Sequence, residues 1–219
     1  MAIEPMQLRT TDGLTLEGEV NVPEGVRAGA VLAHPHPLHG GNMRSIVIGA
    51  LFTGLPAAGV VTLRFNFRGV GASEGAHDEG RGERLDVVAA LDALDQVVAG
   101  PAGRERGRGL PLVLAGWSFG ADTALAVDDD RHAGWFAVAP PLRHTADVAA
   151  ANDPRPKLLA VPQRDQFRSP ESARQVVASW TNTRIHVVPG ADHFLVGRTD
   201  RVVELAVEFV GAVCDEALS

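Results

Sequence analysis

The stretch Leu112-Val-Leu-Ala-Gly-Trp-Ser-Phe-Gly-Ala-Asp-Thr-Ala-Leu-Ala126 constrains this chain more than any other. A short apolar run with strand character, Leu112 to Ala115, meets Gly116-Trp117-Ser118-Phe119-Gly120, and a helix-like segment begins at once. A chain that passes from strand to helix so abruptly must bend sharply, and glycines on both sides of the bend remove the Cβ atoms that would clash in it. The bend lifts the Ser118 hydroxyl above the sheet, and the first amides of the following helix point at the same spot, where they favour negative charge. A serine that merely caps a helix leaves the two glycines unexplained.

Read outward from this turn, strands alternate with helices. Gln7–Thr11 and Thr15–Val22 flank the turn signal Asp12-Gly13 and predict a hairpin. Further strands are expected at Ala28–Ala33, Val60–Phe65, Gly134–Ala139, Lys157–Pro162 and Arg184–Val188. Helices are expected at 43–57, Gly82–Val98, after the bend as far as Asp128, at Pro170–Trp180 and from Thr199 to about Leu218. Two glycine-rich loops, His34–Asn42 and Arg64–Gly75, and a polar connection, Pro101–Gly109, lie between them. Such alternation predicts an α/β chain: three layers, a mostly parallel sheet and helices on both faces. With no internal repeat, residues 1–219 read as a single domain.

Ser45–Leu63 carries no charge, but Pro56 and Gly59 interrupt it and β-branched residues follow, so a buried helix and a central strand are expected rather than a membrane span. The net charge of −7 argues against nucleic acid or an anionic membrane as partner. The single cysteine, Cys214, forbids an intramolecular disulfide, and the N-terminus lacks the basic and apolar regions of a signal peptide, so a cytoplasmic protein is expected. A homodimer is left open.

A serine hydroxyl is a poor nucleophile without a base, and the base needs an orienting carboxylate. The strand ending at Pro162 runs into Gln163-Arg164-Asp165, and the last strand runs into Gly190-Ala191-Asp192-His193. Asp165 and His193 thus follow Ser118 in the order Ser, Asp, His, each at the end of a later strand. Asp165 also fits an ordinary turn in which its side chain bonds its own backbone, and Asp192 fits a turn cap. His34, His36 and His39 form an H-x-H-x-x-H run, but Leu38 stands before the last histidine and no matching downstream ligand set follows, so no metal is expected. Gly69, Gly71 and Gly75 have the wrong spacing for a dinucleotide loop and open no helix. Glu83 and Asp86 suit the start of the next helix, with Arg68 as a pairing partner.

The blocks His34-Pro-His-Pro with Gly40-Gly-Asn-Met, Arg64-Phe-Asn-Phe-Arg-Gly-Val-Gly-Ala-Ser-Glu-Gly75, Gly116-Trp-Ser-Phe-Gly120, Asp165 and Gly190-Ala-Asp-His-Phe194 resemble the α/β-hydrolase superfamily. Within it they resemble the small, lid-poor branch near the dienelactone hydrolases. The resemblance implies Ser118 as nucleophile, His193 as general base and acid, and Asp165 as the residue that orients the imidazole. It implies an oxyanion hole made by the backbone N–H of Phe119 and one from the His34 loop. Prolines at 35 and 37 cannot donate, which leaves His36 N–H, with Leu38 N–H as the fallback. The chain departs from the family's usual pattern in having His34-Pro35-His36 where His-Gly-x is common, and Pro162-Gln163 where a glycine precedes the acid.

Only seventeen residues separate Ala139 from Lys157, too few for a helical lid, so an open site is expected, covered by Leu142–Ala151 and the His34 loop. Leu38, Trp117, Phe167 and Phe194 are the expected apolar lining for a small acyl substrate. The implied activity is hydrolysis of a carboxylic ester or thioester through an acyl-enzyme, without a cofactor. Acyl transfer, elimination or cyclisation by the same residues, and a non-catalytic binding module, are the alternatives.

Overall fold

The computed structural model describes residues 2–99, 109–143 and 148–217. Among them, eight strands form one sheet in the order β1-β2-β4-β3-β5-β6-β7-β8. The strands are β1 (Ala2–Arg9), β2 (Thr15–Val22), β3 (Ala28–Ala33), β4 (Val60–Phe65), β5 (Leu112–Trp117), β6 (His132–Val138), β7 (Lys157–Pro162) and β8 (Thr183–Val188). β2 runs antiparallel to β1 and β4, and every pairing from β4 to β8 is parallel. The helices are α1 (Ile46–Gly54), α2 (Arg81–Val98), α3 (Phe119–Leu125), α4 (Pro170–Val176) and α5 (Thr199–Ala217).

Side chains of a strand alternate between faces, and both faces of this sheet are covered. In β5, Leu112 and Leu114 join a core with α2, α3 and α4, whereas Val113, Ala115 and Trp117 join a second core with α1 and α5. Every residue of β3, β4 and β5 is buried, as a sheet packed on both sides requires. The uncharged stretch 45–63 resolves into α1, a 3-10 turn at Leu55–Ala58 and the start of β4. No helix among the described residues is long and apolar enough to cross a membrane.

Several boundaries differ from the sequence expectation. β1 is longer, beginning at Ala2, and stops at Arg9 because the Thr10 hydroxyl takes the Leu14 N–H at 2.8 Å. α3 ends at Leu125 rather than at Asp128, where the carbonyl of Ala124 accepts from Trp135 Nε1 at 3.0 Å. α4 stops at Val176, short of Trp180. The first glycine-rich loop holds one 3-10 turn, Pro37–His39, although no regular structure is expected there. Most of the polar connection Pro101–Gly109 lies outside the described residues, as do residues 144–147 of the segment expected over the site.

Arg68 pairs with Asp86, at 2.7 Å, and with Asp12, at 2.9 Å. Glu83 instead accepts from the N–H groups of Asp78 and Gly80, at 2.9 and 2.8 Å, and so caps α2.

Candidate active site

Parallel strands deliver their C-terminal ends, and the loops after them, to one edge of the sheet. Ser118 follows β5 with φ 56° and ψ −120°, a sparsely populated backbone region for a residue with a Cβ. Close packing holds it there. A Cβ on Gly116 would sit 2.4 Å from the carbonyl of Gly120, and one on Gly120 would sit 2.3 Å from the carbonyl oxygen of Ala33. The glycines therefore let α3 start directly against β5 and the end of β3.

Ser118 Oγ lies 2.9 Å from His193 Nε2, and His193 Nδ1 lies 2.9 Å from Asp165 Oδ2. The carboxylate can only accept, so Nδ1 carries the imidazole proton and Nε2 accepts from the serine hydroxyl. Asp165 also behaves as the turn residue it resembles: its Oδ1 accepts from the N–H groups of Phe167 and Arg168, at 2.8 and 3.1 Å. These bonds fix the carboxylate plane and leave Oδ2 for the imidazole. Asp192 points elsewhere, its Oδ1 accepting from Phe194 and Leu195 N–H, both at 3.1 Å. The loops bearing Asp165 and His193 are laced together. Gln163 Oε1 accepts from Gly190 N–H at 2.7 Å, and Arg164 N–H donates to the Ala191 carbonyl at 2.8 Å. Gln163, which departs from the family pattern, thus bonds across to the histidine loop.

Trp117 is placed differently from the sequence expectation and does not line the site. It is 6% exposed, belongs to the core under α1 and α5, and donates from Nε1 to the His193 carbonyl at 3.2 Å. Strand alternation sends it to the face opposite the α3 core, and there it braces the histidine loop. Phe167 and Phe194 are each 50% exposed and stand edge-on to the His193 ring, with centroids 4.4 and 5.8 Å away. Leu38 is 71% exposed at the tip of the His34 loop.

His34 is fully buried: Nε2 accepts from Phe67 N–H at 3.0 Å, so Nδ1 donates to the Pro35 carbonyl at 2.6 Å. It stitches the loop after β3 to the loop after β4 and turns away from His36 and His39. Asn66 adds a second stitch by accepting from Met43 N–H at 2.8 Å. In the stitched loop, Leu38 N–H donates to His36 Nδ1, while His39 and Gly41 N–H donate to the His36 carbonyl and Gly40 N–H to that of Pro37. With prolines at 35 and 37, His36 N–H is the loop amide left without a partner among the described residues. A groove of about 550 Å³ lies behind the loop, lined by Glu17, Met43, Asn66 and Gly71 among others, and none of Ser118, His193 and Asp165 borders it.

Burial pushes the His34 imidazole down to about 4, against the pull of its bond to Pro35. Burial, and then the neighbouring Arg155, push His132 down to about 4 as well. Each group binds its proton less tightly in the folded chain than in the unfolded one, so its contribution is complete above about pH 6.5 and is lost as pH falls toward about 4. The two together predict a loss of at most about 2.7 kcal/mol per pH unit, reached near the middle of that window. His132→Phe, which keeps a ring against Trp135, is expected to remove about half of this slope in urea unfolding at pH 7, 6 and 5. An unchanged slope counts against His132 as a source.

The residues that sequence reasoning missed are His77, Arg143 and Asp122. Asp122 accepts from the N–H groups of Leu142 and Arg143, at 2.9 and 3.1 Å, and so anchors the segment after β6 to α3. No periodic signal links a residue on α3 to a loop twenty residues later.

Fold and site geometry together define an α/β hydrolase whose serine stands at a strand-to-helix turn. No family model matches the sequence. The chain is 33% identical over 184 residues to an uncharacterised protein of Rickettsia prowazekii, a match covering 78% of this chain and 73% of that one. An α/β serine hydrolase homologue from Coxiella burnetii is 31% identical with a TM-score of 0.77, covering 95% of this chain and 97% of its own. An α/β serine hydrolase without a lid, from Xanthomonas campestris, is 25% identical with a TM-score of 0.79, covering 96% and 94%. The chain belongs to the α/β serine hydrolase family, in its lid-poor branch.

Proposed function

We propose that this protein hydrolyses a carboxylic ester or thioester through an acyl-enzyme on Ser118. The observation that carries the reading is the unbroken relay from Ser118 Oγ through the His193 ring to Asp165 Oδ2, 2.9 Å at each step. His193 Nε2 takes the hydroxyl proton as Oγ attacks the carbonyl carbon, and Asp165 stabilises the imidazolium that forms. The oxyanion accepts from Phe119 N–H, at the start of α3, and from His36 N–H, the amide the His34 loop leaves unspent. The imidazolium then gives its proton to the departing alcohol or thiol, and water, deprotonated by the same nitrogen, releases the acyl group. Phe167 and Phe194, half-exposed beside His193, supply an apolar wall for a small acyl or aromatic group. Leu38 extends that wall from the loop tip.

Labelling with a fluorophosphonate probe tests the reading. The wild-type protein is expected to be labelled and Ser118→Ala is not, while circular dichroism of the two stays the same. Labelling that survives in Ser118→Ala removes Ser118 as the nucleophile. A panel of esters and thioesters of graded acyl length then reads the substrate class.

A further inference from the structure

A second group of titratable rings stands beside the serine. The His36 ring stacks on His39, with centroids 4.4 Å apart, and lies 4.9 Å from the His77 ring. Both His36 and His77 pack on the ring of Phe119, the residue after Ser118, at 5.0 and 5.4 Å. His77 Nδ1 lies 2.7 Å from the fully buried Glu83 carboxylate, which fixes that ring against the start of α2. In the neutral His36 ring, Nδ1 accepts from Leu38 N–H, which leaves a proton on Nε2. Arg143, exposed and held by Asp122 through its backbone N–H, adds positive charge close enough to act on His36.

We propose that His36, His39, His77 and Arg143 form a subsite for an oxyanionic group, a carboxylate or a phosphate, carried by the substrate that Ser118 attacks. This rests on the function proposed above and narrows it. Three carboxylates of the surrounding elements are already engaged. Glu83 serves Asp78 N–H, Gly80 N–H and His77, Asp78 serves Arg81 and Gly82 N–H, and Asp122 serves the backbone of 142–143. His39 and Arg143 are exposed and His36 and His77 partly so, on a chain whose net charge is −7. Their crowding has a cost without a ligand. Burial, then His39, His77 and Arg143, hold the His36 imidazole below the usual histidine range. An anion among the rings relieves that repulsion, so its binding is linked to proton uptake. The mouth of the site is thereby divided, with aromatic edges of Phe167 and Phe194 near His193 and nitrogen donors around Phe119.

Two measurements test the subsite. In the first, kcat/KM is compared for the p-nitrophenyl monoester of glutaric acid and the uncharged p-nitrophenyl ester of pentanoic acid. The charged ester is expected to be preferred about tenfold at pH 6, a preference that shrinks toward pH 8, where the anion no longer draws a proton onto His36. His39→Gln and Arg143→Gln, both at exposed positions, are expected to bring the ratio toward one. In the second, the imidazole C2–H resonances of Ser118→Ala protein are titrated with acetate and with inorganic phosphate. An upward shift of the His36 midpoint and ligand-dependent movement of the His39 and His77 resonances are expected, larger for whichever oxyanion the subsite is shaped for. A ratio at or below one in the wild type, together with midpoints unmoved by either anion, overturns the subsite. Loss of all ester cleavage and probe labelling overturns the proposed function instead, and the resonance titration still reads the subsite.

Discussion

Ser118→Ala and His193→Ala are each expected to lower kcat/KM on a short ester by about a millionfold, and Asp165→Asn by about ten-thousandfold. The triple variant is expected to be no slower than Ser118→Ala alone. The reason is the single relay: once Oγ is gone, His193 has no proton to take, and once His193 is gone, Asp165 orients nothing. The asymmetry has a structural origin. Asp165 is fixed by the N–H groups of Phe167 and Arg168, and asparagine can keep those bonds through its carbonyl oxygen. Its amide then faces His193 Nδ1 as a donor and favours the wrong imidazole tautomer. With the oxyanion hole proposed above, the amides of Phe119 and His36 and substrate positioning are expected to leave a residual rate about 10³- to 10⁴-fold over water. Steady-state and single-turnover measurements on the single, double and triple variants check this. Losses that multiply across the set show that the three residues do not act as a unit.

The elements of the site were legible to different degrees, for physical reasons. The Ser118 turn was plain in the sequence because steric necessity writes glycine on both sides of it, and those glycines do meet the Ala33 carbonyl and the start of α3. Asp165 and His193 could be found because parallel strands bring later strand ends to the same edge. Asp165 was the hardest of the three to distinguish, since a turn aspartate and an orienting carboxylate need the same residue, and this side chain does both. The nearness of Trp117 to Ser118 in sequence suggests a lining residue, but alternation from Val113 and Ala115 assigns it to the far face. The meeting of His36 and His77 has no signature, because two non-periodic loops bring them together.

Arg68→Met is expected to cost about 3–5 kcal/mol of stability, the range for removing one partner of a buried ion pair. The Arg68 side chain is 7% exposed and the Asp86 side chain is wholly buried, with Nε and Nη2 bonding Asp86 at 3.0 and 2.7 Å and Nη1 bonding Asp12 at 2.9 Å. Burial already pushes the Asp86 carboxyl up, and the bonds from the Arg68 side chain and N–H hold it down. Without the guanidinium only the backbone N–H at 2.9 Å remains, and the carboxyl rises further above its unfolded value. A raised carboxyl favours folding at low pH and penalises it as pH climbs through the folded value, so the gap to wild type is expected to be wider at pH 8 than at pH 5. Pairing the change with Asp86→Leu is expected to recover part of the loss, because the charge left behind is then removed. The effect reaches the site through the chain itself. Arg68 follows Asn66 and Phe67, whose bonds to Met43 and His34 hold the loop that presents His36 N–H. A slackened Arg68 should therefore lower kcat more than it raises KM in the fraction that remains folded. Urea midpoints at both pH values, with ester kinetics on the folded variant, separate the two effects. A single variant no less stable than the double shows that Asp86 is not left uncompensated.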